Sequence, residues 1–206
     1  DAGIDVVRGG SDGGGVSYLD APQRVKVNLH TGVATGWGAD TLVGIVNVKG
    51  SAFDDVLIGN AADNHLFGAD GNDELRGRSG NDFLQGSNDS DLLIGGTGND
   101  DLYGHTAETC CVGPDESPDT LRGGPGDDKL HGTEGPDSLY GNPGDDDLYG
   151  DVGDDRLFGG DGHDLIDGGS GNDYLDGGSG LDLLDGSHDF DTCTQGEIYR
   201  SCEVIL

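Results

Sequence analysis

From residue 50 onward the aliphatic residues of this chain stand nine apart. They read Leu57, Leu66, Leu75, Leu84, Leu93 and Leu102, then Leu121, Leu130, Leu139, Leu148, Leu157, Ile166, Leu175 and Leu184. Self-similarity at a fixed period is the mark of a repeat architecture. The residues around each aliphatic position suffice only for a very short strand, in which side chains alternate and the aliphatic one faces the opposite way from its neighbours. The six residues between are rich in glycine and aspartate and read as a turn. Two nonapeptides then make one 18-residue coil with a turn at each edge. Successive coils stack as two parallel sheets, and the aliphatic column between them is the core.

Numbered from its leading glycine, the repeat has the pattern GGxGxDxUx, with clean copies GGTGNDDLY at Gly95, GGDGHDLID at Gly159 and GGSGNDYLD at Gly168. Slot one is Gly50, Gly59, Gly68, Gly77, Gly86, Gly95 and Gly104, and in shifted phase Gly123 through Gly186. Slot six is Asp55, Asn64, Asp73, Asp82, Asp91 and Asp100, then Asp119, Asp128, Asp137, Asp146, Asp155, Asp164, Asp173, Asp182 and Asp191. Glycines permit backbone angles that let carbonyls crowd one point, and the aspartates supply carboxylate oxygen. Oxygen ligands in that density suit a hard cation, and a flexible carbonyl-rich site favours Ca²⁺ over Mg²⁺.

The motif resembles the RTX calcium-binding family, over roughly three quarters of the chain. The resemblance implies an all-β, right-handed parallel β-roll of about eight coils, stapled by calcium. Each slot-six carboxylate would share an ion with the one 18 residues on. Roughly ten ions are expected, held by the slot-six aspartates and by backbone carbonyls around Gly71, Gly80, Gly96, Gly98, Gly124, Gly126, Gly135, Gly144, Gly153, Gly160, Gly162, Gly169, Gly171, Gly178 and Gly180.

Composition sharpens this picture. Of 206 residues 42 are Gly, and 41 Asp plus Glu face 10 Lys plus Arg, for a net charge of −31 with 32% hydrophobic residues. Such a balance alone predicts disorder, so a cation has to belong to the folded state. The charge disfavours nucleic acid, which needs a basic footprint, and anionic membranes likewise. No apolar run reaches the ~20 residues of a membrane span. The lack of Met and the start at Asp1 point to a processed product or an excised segment. HExxH, GxSxG and Walker-type GK[ST] sequences are missing, and carboxylate pairs recur with the repeat, so a non-catalytic protein is expected. A secreted or extracellular calcium-binding module is the first functional reading. A module binding carbohydrate or the cell surface is the second, and the accessory C-terminal part of a larger secreted enzyme or toxin the third.

Three regions depart from the pattern. Residues 1–49 are irregular; strands over Val16–Tyr18, Val25–Leu29 and Thr41–Val48 are expected to form wider capping coils, with Trp37 as a packing residue. The repeats proper run over 50–192, with an irregularity at 104–118, where slot six jumps 19 residues from Asp100 to Asp119. Either a ten-residue loop is inserted, or Gly104–Val112 is a degenerate repeat with Thr109 in slot six and one extra residue after it. The second is preferred because it places Cys111 inward and Gly113 in slot one; it would weaken or abolish calcium sites using that turn. Under it, the slot-nine residues Phe67, Tyr103, Tyr140 and Phe158 fall on one outer sheet, where they serve cross-strand packing or stack on sugar rings. Residues 193–206 form a C-terminal cap. Run on from Gly186, the register puts Cys193 and Cys202 both in slot eight, facing each other across the core as a disulfide, and replaces the last slot-six Asp by Arg200. Cys110 and Cys111 are left without an assigned pairing. The final residues Glu203, Val204, Ile205 and Leu206 resemble the acidic-then-apolar tail of type I secretion substrates, although four cysteines speak for another export route.

Overall fold

The computed structural model describes residues 3–10, 13–105, 117–196 and 198–204. Among them there is no helix, and short strands form two sheets, one of 13 strands and one of 10. From Ile45 on, the chain alternates between the wide and the narrow sheet with every nonapeptide. Each strand pairs in parallel with the strand one coil further on, so that Leu84 lies beside Leu66, Leu148 beside Leu130 and Leu175 beside Leu157. The protein is the parallel β-roll that the nine-residue period predicts. Every aliphatic slot-eight side chain from Leu57 to Leu184 is fully buried, as is Cys193. The core is therefore one layer of leucines thick, each contributing roughly 1.5–3 kcal/mol by leaving water.

The irregularity at 104–118 resolves against the preferred sequence reading. Strand Asp101–Tyr103 pairs with Lys129–Glu134, Leu102 opposite Leu130, and strand Leu92–Thr97 pairs with Thr120–Arg122, Leu93 opposite Leu121. Partners that are 18 apart elsewhere are 28 apart here, so ten residues are inserted within a single turn and, among the described residues, no degenerate coil stands between these paired strands. Asp119, and not Thr109, fills slot six of the turn that Gly104 opens, for a methyl on Gly104 would strike Asp119 Oδ2. A turn at the edge of the roll faces solvent and absorbs extra length at little cost, whereas an extra strand would exchange the sheets of every later repeat. Residues 106–116, with Cys110 and Cys111, lie outside the described residues.

Both ends depart from simple coils. Lys26–Asn28 docks in parallel on Val56–Ile58, but pairs antiparallel with Val33–Thr35, which pairs antiparallel with Ala39–Val43. This meander, extended by Val6–Arg8, closes the N-terminal end of the wide sheet in place of the expected wider coils. The single strand expected over Thr41–Val48 is broken at Gly44, whose φ is 64°, and its halves belong to different sheets. Trp37 is partly buried against the core.

At the C-terminal end Cys193 and Cys202 are joined as expected, with Cα atoms 5.7 Å apart, but the register behind that expectation fails. The last coil is shortened: Tyr199 takes the place opposite Leu184, Arg200 that opposite Asp185, and Cys202 lies opposite Asp191 in the wide sheet beside Cys193. The bridge thus ties two neighbouring strands of one sheet and does not cross the core. Arg200 stands in slot nine and not in slot six. With no slot-six Asp after Asp191 to hold a full-length turn, the chain takes the shorter path.

Candidate metal centre

The slot-six side chains form two ladders, one along each edge of the roll. On the first edge the backbone N–H of Asp55 donates to Asp73 Oδ1 at 2.7 Å, that of Asp73 to Asp91, Asp91 to Asp119, Asp119 to Asp137, Asp137 to Asp155, Asp155 to Asp173 and Asp173 to Asp191. Val25 N–H caps this ladder on Asp55 Oδ1 at 2.6 Å. On the second edge the same bond runs from Asn64 to Asp82 and on through Asp100, Asp128, Asp146 and Asp164 to Asp182, at 2.7–3.1 Å. All fourteen predicted aspartates are buried, none more than 4% exposed. The ten-residue insertion interrupts neither ladder.

One oxygen of each carboxylate is thereby used, and in ten of them the other is left over. Oδ2 of Asp73, Asp82, Asp100, Asp128, Asp146, Asp155, Asp164, Asp173, Asp182 and Asp191 is buried without a hydrogen-bond partner. Unpaired buried anionic oxygen is costly, and a cation is the partner whose charge would satisfy it. The surroundings fit one. A methyl on slot-one Gly141 would strike both Asp146 Oδ2 and the carbonyl of Gly159, and one on Gly77 both Asp82 Oδ2 and the carbonyl of Gly95. Carboxylate and carbonyl oxygens of successive coils therefore converge beside most of the leading glycines. Among the described residues no three His, Cys, Asp or Glu side chains cluster as a side-chain metal site would require. An ion here has to take backbone carbonyls, which suits the hard, oxygen-seeking, geometrically tolerant Ca²⁺.

The turn glycines named from the sequence all have positive φ. At Gly98, with φ 125°, the carbonyl oxygen of Gly80 in the preceding coil occupies the place of a side chain, so the close stacking of turns itself demands glycine. At several slot-two positions that lack glycine the residue still takes the left-handed conformation, as at Arg78 (φ 88°), Thr133 (φ 88°) and Asp151 (φ 70°).

Burial sets the electrostatics. Desolvation raises Asp73 and Asp128 to about 8, and Asp82, Asp146 and Asp155 to about 7, with neighbouring carboxylates adding to the rise and the donated backbone N–H opposing it. Asp100, Asp164 and Asp173 reach about 6 for the same reason, and Asp55 and Asp191 are also raised.

Sequence reasoning missed a second, exposed ladder. Slot-five side chains accept the slot-five N–H of the next coil, as Asp63 does from Asn81, Asp127 from Asp145, and Asp145 from His163. The Asx residues recurring beside slot six were its signal. The aromatic stripe is corrected by the insertion. Phe67, Tyr103 and Tyr149 lie on the narrow sheet, Tyr140 and Phe158 on the wide one. On the narrow sheet His131 stacks between Tyr103 and Tyr149, with ring centroids 5.0 and 4.5 Å away. Tyr140 likewise stacks on Phe158 at 5.1 Å. These rings cover one another's faces, which supports cross-strand packing over sugar stacking.

The family model for the RTX calcium-binding nonapeptide repeat matches residues 49–84, 76–106, 122–157, 149–184 and 158–192, together more than half of the chain. No curated protein matches. The matched segments contain both aspartate ladders almost entirely, and the chain belongs to the family of RTX calcium-binding repeat proteins.

Proposed function

We propose that roughly ten Ca²⁺ ions lie between successive coils along both edges, and that residues 50–192 fold as they bind. The recurring buried Oδ2 without a partner is the observation that carries this reading. Bound calcium supplies positive charge to oxygens that otherwise repel one another. The chain's own residues do the rest: the slot-six N–H groups orient each carboxylate, the glycines bring carbonyls within reach, and the leucine layer fixes the coil spacing. The protein is then a structural module that stays unfolded where calcium is scarce and folds outside the cell, where calcium is plentiful. The Cys193–Cys202 bridge fits an oxidising compartment. We assign it a secreted role as a folding or adhesion element, with no reaction of its own, whether alone or attached to a larger secreted protein. Isothermal titration calorimetry tests the stoichiometry. About ten ions per chain are expected, and two or fewer would overturn the assignment.

A further inference from the structure

The chain's few cations are not scattered. On the outer face of the wide sheet the strands run in the order Lys26–Asn28, Val56–Ile58, Glu74–Ser79, Leu92–Thr97, Thr120–Arg122, Ser138–Pro143 and Arg156–Asp161. The side chains flanking the buried aliphatic residue on every second strand include one exposed cation: Lys26, Arg76, Arg122 and Arg156. The strands between present only Val56 and Ile58, Leu92 and Ile94, and Ser138 and Tyr140 at the flanking positions, all partly exposed. Glu74, paired with Arg76 at 2.5 Å, is the one acidic residue at these positions from Lys26 to Phe158. The narrow sheet differs: its corresponding positions mix Lys49 and Lys129 with Asp101, Asp147, Asp167 and Asp185. In a chain of charge −31 this leaves one flat face that is cationic and apolar in alternation, bordered by the two aspartate ladders.

Strands in a sheet lie about 4.8 Å apart, so the cations recur at about 10 Å along the roll axis, Arg76 and Arg122 in one row and Lys26 and Arg156 in the row two residues across the strands. A sugar residue in an extended chain is about as long as one strand spacing. We propose that this face binds a linear acidic polysaccharide, laid along the roll axis, in which a uronate carboxylate recurs on every second sugar. Arginine guanidinium groups take carboxylates bidentately, and the valine, isoleucine, leucine and tyrosine side chains between them meet the apolar C–H faces of the intervening sugars. A nucleic acid, with closer-spaced phosphates and a need for continuous basic contact, matches this sparse pattern poorly. The proposal rests on the calcium reading, because the bordering carboxylates repel any polyanion until they are neutralised.

Hyaluronan decasaccharide, an alternating uronate polymer, is the probe, titrated into the protein in 10 mM CaCl₂ and low salt, with maltodecaose and a single-stranded DNA 20-mer as comparators. Saturable binding of hyaluronan alone is expected. The triple variant Arg76→Gln, Arg122→Gln, Arg156→Gln should bind at least tenfold more weakly, with an unchanged calcium-dependent circular dichroism signal. Lys49→Gln with Lys129→Gln, on the other sheet, should stay within twofold of the parent. No binding of hyaluronan by folded protein, equal binding of maltodecaose or DNA, or undiminished binding by the arginine variant would each overturn the proposal. That last outcome would point to capture through edge calcium. The dichroism signal reports separately on calcium-coupled folding, and a roll that folds without calcium would be titrated in the same way and judged by the same outcomes.

Discussion

Asp146→Asn separates calcium ligation from mere packing. Asp146 is fully buried, accepts the Asp128 N–H at 2.8 Å through Oδ1, and donates its own N–H to Asp164 Oδ1 at 3.0 Å. The protein already contains the test residue in an equivalent place: Asn64 sits in slot six of the same edge and donates its N–H to Asp82 Oδ1 at 2.7 Å. Asparagine therefore fits the ladder, and the substitution removes charge without removing shape. On the calcium reading Asp146 serves two ions, one shared with Asp128 and one with Asp164. Extracellular modules bind with affinities of about 10⁻⁴ to 10⁻³ M, so in 10 mM CaCl₂ each ion contributes about 1.4 to 2.7 kcal/mol, and losing both costs about 3 to 5 kcal/mol. At 0.1 mM each site contributes at most about 0.4 kcal/mol, and the variant also sheds a carboxyl that burial pushes up to about 7. The difference from the parent should then vanish or change sign. Urea unfolding at the two calcium concentrations measures this. An identical destabilisation at both would refute the argument and leave Asp146 a packing residue.

Other consequences follow from the same geometry. The metal-free roll binds protons that the unfolded chain, with carboxyls near 3.9, releases; its stability should therefore be greatest in acid and fall as pH rises from about 4 to about 8, and β signal in EDTA should grow on acidification to pH 4.5. Protons compete with calcium for the same oxygens, so the calcium midpoint of folding should rise several-fold from pH 8 to pH 6. Gly98→Ala places a methyl on the Gly80 carbonyl at φ 125° and should cost more than about 2 kcal/mol, whereas Arg78→Gly relieves a left-handed residue and should gain about 1 kcal/mol, both read by urea unfolding in saturating calcium. Cys202→Ser should cost about 2.5 kcal/mol, with hydrogen exchange increasing first in residues 183–194.

Much of this protein is legible in its sequence because one short unit fixes everything local. An aliphatic residue every nine dictates a strand, its inward direction and the coil length; every such side chain from Leu57 to Leu184 is buried, and the coil length departs only at the insertion. The slot-six aspartates were legible as a column for the same reason. What the period could not convey is where it is suspended. The jump from Asp100 to Asp119 admits two registers, and only the pairing of Leu102 with Leu130 decides between them. At the C-terminus the correct cysteine pair came from a wrong register, because two cysteines a coil-half apart meet whether the last coil is full or cut short. The cations of the wide sheet were hidden by the insertion as well, since Arg76, Arg122 and Arg156 fall on alternate strands only once ten residues are taken out.

The central claim is that calcium and fold are coupled, and a circular dichroism titration tests it most directly. Protein dialysed against EDTA at pH 7.5 should show a disordered spectrum. Calcium added toward 10 mM should bring in β signal cooperatively, with a midpoint between 10⁻⁴ and 10⁻³ M, while Mg²⁺ at the same concentrations should not. A full β spectrum in EDTA, unchanged by calcium, would contradict the account.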